Sequence, residues 1–472
     1  MNAKIQNIFQ TAKSFLSVKD SAKFFLKRRL IFRIFAYISV AFLCKIFMTK
    51  RIVYLVLTLV LIVISNNVRA IDFQKYFHDR TLRIDYLRKG NAKSNTIEVS
   101  AFVSKNGTWA GSLVHLIDPF DYGAFRIVVK DAASGTEIYT RTYTTLFQEY
   151  AATPTGADSV ATFQETVLVP FPKDKVKLCF QQRDKNQRFV TQKEVLFDPA
   201  ATTTVTRQGA SQPIKLRYSG DSHKKLDVVI VADGYTKKDA KKMEADFKTF
   251  AESLVKTQPY KNHVNDFNIW GVATVSKDRG ITNPVKNQIL NTAIGSSYNI
   301  MGIARYLMTY EIFRLHDAIG DAPYEQIIIM SNSEVYGGGA IYNFYANVVV
   351  SSQTDYVLPH EFGHTFGGLA DEYVDEDISY EELHSTNTEP LQPNITTLVN
   401  FDKKWKDLVA ADTPIPTPIS AQNISKVGAY EGGGYRKKGI YRPVIRCMMS
   451  SGGGFCPVCK RALNEMFKIY TE

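Results

Sequence analysis

His360 and His364 stand four residues apart with Glu361 beside the first, in the run Pro359-His-Glu-Phe-Gly-His-Thr-Phe-Gly-Gly368. On a helix that spacing puts both imidazoles one turn apart on one face, so both reach a single cation, and Glu361 projects alongside where it can hold the metal's water. Zinc suits the donor set. Two neutral imidazoles and a carboxylate leave one tetrahedral position for water, whose pKa falls from 15.7 towards about 7 on a catalytic zinc. Glu361 can then take the proton as water attacks a peptide carbonyl. Gly367-Gly368 lets the chain leave the helix and return a downstream carboxylate to the metal, and Asp371 and Glu372 are both within reach. Asp371 is the expected third ligand, because Gly368-Leu-Ala-Asp371 makes a Gly-x-x-ligand step; Glu372 is the alternative.

The elements that position this run belong to a chain of 472 residues, 45% apolar and 22% charged, with 28 Gly and 17 Pro. That is ordinary globular composition with room for two or three domains. The formal charge of +12 invites a nucleic-acid reading, but the first 70 residues hold 12 Lys/Arg and one acid. The rest carries 46 basic against 45 acidic residues, so no basic stripe remains to drive phosphate binding, and nucleic acid is not an expected partner.

Residues 48–70 have signal-peptide grammar: Lys50 and Arg51, an apolar run Ile52 to Ile64, then small and polar residues to Ala70. Cleavage near Ala70 would deliver the protein to the periplasm, cell surface or medium, with membrane attachment only through an uncleaved leader. Residues 1–47 are an upstream segment, with translation expected to start at Met48. In an oxidising compartment, Cys447, Cys456 and Cys459 are expected to form one local bridge, from Cys447 to either of the others.

Between 71 and 200, short runs such as Thr81-Leu-Arg-Ile-Asp-Tyr86 and Phe125-Arg-Ile-Val-Val129 alternate with period two between turns, which predicts an antiparallel β-sandwich. Residues 201–215, rich in Thr, read as a linker. Over 216–472 strands alternate with helices: Leu226-Asp-Val-Val-Ile-Val-Ala232 is a buried strand, and Met243, Phe247, Phe250 and Leu254 keep helical spacing. The fold class is α+β, with the zinc centre in the second domain, after an edge-like strand at Asn347 to Ser352.

His360, Glu361, His364 and Gly367 match the signature of the metzincins, H-E-x-x-H-x-x-G-x-x-H or D followed by a Met-containing turn. The family's third-ligand position falls on Ala370, so Asp371 serves if one residue is inserted. The resemblance makes Cys447-Met-Met449 a Met-turn, with Met449 as floor beneath the histidines. Together with Leu369-Ala-Asp-Glu-Tyr373, Tyr441-Arg-Pro443 and Phe455-Cys-Pro-Val-Cys459, the chain resembles the IgA-peptidase family of secreted bacterial zinc metallopeptidases. That resemblance implies a metzincin-like α/β zinc-peptidase domain behind an N-terminal β-domain, and a zinc endopeptidase acting on protein or glycoprotein substrates.

Tyr373, Tyr435 and Tyr441 are candidates to donate a hydroxyl to the tetrahedral oxyanion. Gly337-Gly-Gly339 offers flat backbone for pairing with an extended substrate. Cys456-Pro-Val-Cys459 resembles a redox motif but reads as a structural staple, and the acidic stretch Asp371 to Glu382 lacks EF-hand spacing and reads as a solvated loop. His223, His263, His316 and His384 have no partner at ligand spacing. Two rivals share the sequence: a glycoprotein-binding protein with a degenerate zinc domain, and a zinc amidohydrolase acting on cell-wall peptides. Nothing in the chain demands more than a monomer.

Overall fold

The computed structural model describes residues 71–375 and 385–472. The upstream segment, the leader and His384 lie outside the described residues. The fold is mixed α+β with several sheets and a β-rich N-terminal region. Its strands are β1 (Phe77–Gly90), β2 (Asn95–Ser104), β3 (Phe125–Asp131), β4 (Glu137–Tyr143), β5 (Ala161–Pro172), β6 (Val176–Arg183) and β7 (Phe189–Phe197), with helix α1 (Leu146–Ala152) between β4 and β5. They pair antiparallel in two sheets, β2-β1-β5 and β4-β3-β6-β7.

Ile84 and Tyr86 of β1 share a core with Phe125, Ile127 and Val129 of β3 and Leu178 and Phe180 of β6. Both faces of β1 are covered along this stretch: Thr81 to Tyr86 are all buried. Arg83 and Asp85 pair across 2.7 Å, and Arg83 also reaches Asp317 of the C-terminal region at 2.7 Å. Polar residues every second position therefore mark a face docked on the C-terminal region through satisfied charges. Neither burial nor partner can be read from period two alone. The segment expected to be a linker is tied down at one point: Val205 forms a parallel bridge with Val103.

The C-terminal region is built on a mixed sheet of order β12-β13-β11-β9-β10-β8, from β8 (Ile214–Arg217), β9 (Leu226–Asp233), β10 (Phe267–Val272), β11 (Gln326–Ser331), β12 (Gly338–Ile341) and β13 (Tyr345–Val349). The four central strands run parallel and the two edges antiparallel. Such strands are covered on both faces, which explains their unbroken apolar runs. Val229, Val231, Ile327 and Ile329 join the core shared with the β-rich region, while Val228, Ile230, Ile328 and Met330 face a second core beneath helices α2 (Ala240–Leu254), α4 (Thr354–Gly367) and α5 (Pro457–Thr471). Helix α3 (Ile312–Ile319) packs with the first core, and a hairpin of β14 (Tyr430–Gly433) and β15 (Arg436–Arg442) precedes α5.

The edge next to α4 is β12 and not the strand at Asn347. Asn347 lies in β13, inside the sheet between β12 and β11, because Gly338–Ile341 folds back through Asn343 and covers it. Among the described residues no helix is long and apolar enough to cross a membrane.

Candidate metal centre

Helix α4 presents His360 and His364 on one face, as four-residue spacing requires, and ends at Gly368, whose φ of +60° turns the chain back over the helix. The return brings Asp371 to the rings. Its Oδ1 lies 3.1 Å from His360 Nε2 and 3.5 Å from His364 Nε2, and the two Nε2 atoms are 3.2 Å apart.

Each ring is oriented by its other nitrogen. His360 Nδ1–H donates to the Met448 carbonyl at 2.8 Å, and His364 Nδ1–H to the Leu369 carbonyl at 2.6 Å. Committing both Nδ1 protons aims both Nε2 lone pairs at the same point, the tautomer that metal-ligating histidines adopt. Asp371 Oδ1 is buried without a hydrogen-bond donor, while Oδ2 accepts from the Tyr435 hydroxyl at 2.5 Å. Three inward-facing acceptors with no donor among them fit a cation, and two imidazoles plus a carboxylate fit zinc.

The electrostatics favour positive charge at this point. Burial opposes charging His364, but the facing Asp371 carboxylate outweighs it and holds the ring's pKa up at about 9. Burial would raise Asp371, yet His364 and His360 hold its carboxyl well below the usual range. The Glu361 carboxyl is raised by burial, partly offset by the two histidines. A carboxylate lifted in this way is a better proton acceptor than a free one.

Glu361 sits against the edge strand. A Cβ placed on Gly338 would lie 2.9 Å from Glu361 Oε1, so the glycine makes room for the carboxylate. The expected free glycine backbone is partly used: Gly338 N–H donates to Arg305 O at 3.3 Å, and Gly338 O accepts from Leu307 N–H at 3.2 Å. Ala340, two residues on, directs its backbone groups the same way and lines the cleft. The cleft is about 1070 Å³, and His360, Glu361, His364, Asp371, Tyr336, Tyr373 and Tyr435 all reach it.

The three tyrosine candidates separate. Tyr435 follows Gly434 in the β14–β15 turn, both with positive φ, the pairing of a type I′ hairpin. The turn is clamped to the returning chain by Gly434 N–H to Asp371 O at 2.8 Å and Tyr435 N–H to Tyr373 O at 3.0 Å. Tyr435 thereby commits its hydroxyl hydrogen bond to Asp371. Tyr373 accepts from Arg305 at 3.3 Å, keeping its own proton available. Tyr441 lies on β15 outside the cleft, paired through its backbone with Thr396.

Met449 is fully buried, its sulfur 3.1 Å from where a Gly363 Cβ would stand, which places it beneath the histidine helix. Glu372 points away from the histidines, towards Cys447, Cys456 and Cys459, whose sulfurs are unbridged in this structure. His223 is held by Asp79 and Asp221, His263 by Asp266 and Asn464, and His316 by Tyr324. Arg305, Tyr336 and Glu149 also line the cleft. They reach the cleft from distant segments, and no local spacing marks them.

Residues 214–426 and 419–467 match the family described as IgA Peptidase M64, and residues 72–193 match Peptidase M64 N-terminus. No curated protein matches the chain. The family match spans more than half of the sequence: the chain belongs to the IgA peptidase M64 family and is a peptidase.

Proposed function

We propose that this member of the IgA peptidase M64 family is an exported zinc endopeptidase, monomeric, with an N-terminal β-sandwich and a metzincin-like catalytic domain, that hydrolyses peptide bonds of protein or glycoprotein substrates. The observation that carries the reading is the convergence of His360 Nε2, His364 Nε2 and Asp371 Oδ1 on one point beside Glu361. His360, His364 and Asp371 would hold the metal, with Tyr435 and the Met448 and Leu369 carbonyls fixing their orientation. When bound, the metal supplies Lewis-acid polarisation and lowers the pKa of water.

The chain's own residues do the rest. An extended substrate segment lies along β12 and pairs with Ala340, which sets its carbonyl above Glu361. Glu361 accepts a proton from the attacking water and passes it to the leaving amine. Tyr373, with Arg305 behind it, donates a hydrogen bond from its hydroxyl to the developing oxyanion; Tyr435 stays with Asp371. Export rests on the leader at 48–70, and fractionation of the producing cell tests it: retention of the intact chain in the cytoplasm counts against it.

The direct test of the base is Glu361→Ala. The variant is expected to keep its zinc and lose hydrolysis of a mixed peptide library read by mass spectrometry; a variant that still cleaves refutes the assignment.

A further inference from the structure

Asp371 and Glu372 are adjacent on extended chain, so their side chains leave it in opposite directions. Asp371 turns to the histidines. Glu372 enters a second pocket that the reaction does not use, formed by Cys447 from the Met-containing turn and by Cys456 and Cys459 from the start of α5.

All four side chains are buried, Glu372, Cys447 and Cys459 completely. One donor atom from each lies within 4.8 Å of every other. Cys447 Sγ and Cys459 Sγ are 3.7 Å apart, and Cys459 Sγ is 3.1 Å from Glu372 Oε1. Two thiolates on one tetrahedral zinc, with Zn–S near 2.3 Å, are separated by about 3.8 Å. Glu372 Oε2 is buried with no hydrogen-bond partner. Stranding a carboxylate oxygen there is costly unless something positive faces it. Arg442 lies near enough for its charge to be felt by Glu372, but it makes no hydrogen bond to Oε2: its Nη1 donates to Gly432 O at 2.6 Å and its Nε has no partner.

The backbone is also arranged for thiolates. Cys456 N–H donates to Cys447 Sγ at 3.3 Å, and Cys459 N–H to Cys456 Sγ at 3.4 Å, with Cys456 capping α5 where the helix dipole favours negative charge. A single disulfide would use two of three sulfurs and leave a buried thiol beside a carboxyl that Asn394 Nδ2–H holds at Oε1, at 2.9 Å, and nothing holds at Oε2. A tetrahedral metal uses all four groups.

We propose that Glu372, Cys447, Cys456 and Cys459 form a second, closed zinc site with a structural role. Binding displaces thiol protons to solvent and changes no oxidation state. The site would fasten three segments together: the chain carrying Asp371, the turn carrying Met448 and Met449, and helix α5. Glu372 N–H already donates to Met449 O at 2.7 Å along the same seam. Through that seam it would position both Asp371 and the Met448 carbonyl that orients His360. The inference is independent of the peptidase reading.

Elemental analysis of the full purified chain tests it. The expected result is two zinc ions per chain, falling to one in His360→Ala/His364→Ala and to one in Cys456→Ser/Cys459→Ser, the latter with a lowered melting temperature. Cobalt exchanged into the wild type and into the histidine variant should give a thiolate-to-cobalt charge-transfer band. Should the cysteine variant not fold, these two proteins decide the matter alone. A histidine variant without metal and without the band overturns the proposal, as does non-reducing peptide mapping that finds Cys447 bridged to Cys456 or Cys459. Failure of the catalytic site would instead appear as a wild type holding one ion that survives in the histidine variant.

Discussion

Gly338→Ala probes the base without touching a proposed ligand. The added Cβ would stand 2.9 Å from Glu361 Oε1 and 3.3 Å from Val357 Cγ1, whereas ordinary contact begins at 3.4 Å. Gly338 has no left-handed φ, so alanine adds no backbone strain there. The near neighbour is the end of a flexible side chain, and it yields by about half an ångström or a small rotation. Misplacing a reacting group by about 1 Å costs roughly 100-fold, so about 10-fold in kcat is expected here. KM should move little and zinc content not at all. The assay is steady-state cleavage of a fluorogenic peptide beside elemental analysis. Unchanged kcat would refute the placement of Glu361 against β12; loss of zinc would show that the contact reaches the ligands rather than the base.

Tyr435→Phe removes the hydroxyl on Asp371 Oδ2 and should weaken zinc binding about 10- to 100-fold in a chelator competition; unchanged affinity would remove Tyr435 from the orienting shell. Asp85→Ala strips a buried partner from Arg83, and because Asp317 still reaches Arg83, the loss should sit near the lower end of the range for broken buried pairs, about 3 kcal/mol in denaturant unfolding; a loss under about 1 kcal/mol would contradict the docking account. Burial lifts Glu149, against its hydrogen bond from Tyr306, from 4.5 to about 7. The folded state thus binds this proton more tightly, and the stability it contributes is full below about pH 4.5 and lost as pH rises towards 7. Allowing for water in the cleft, the effect is about 2 kcal/mol. Glu149→Gln should flatten that part of the stability profile, and an unchanged slope would refute the assignment.

The histidine pair was legible because four-residue spacing on a helix admits one geometry. Asp371 was distinguishable from Glu372 only by an analogy of spacing. What separates them physically is that neighbours on extended chain face opposite ways, which sends Glu372 to the cysteines. Tyr435 was one tyrosine among 25, and its place depends on a turn that Gly432-Gly-Gly434 hinted at but did not orient. Tyr441 shares a hairpin with it yet misses the cleft, since a few residues along a strand carry a side chain to another surface. The interior position of Asn347 and the docked polar face of β1 were hidden for one reason: period and composition report that a residue has two faces, not what covers each. Arg305, Tyr336 and Glu149 come to the cleft only through tertiary contacts.

The central claim is that His360, His364 and Asp371 share one cation beside Glu361. Anomalous diffraction at the zinc edge, from crystals of the purified chain, tests it most directly. A peak about 2.0–2.2 Å from His360 Nε2, His364 Nε2 and Asp371 Oδ1 together is the expected result. No peak at that point, or one that leaves Asp371 out, would contradict it.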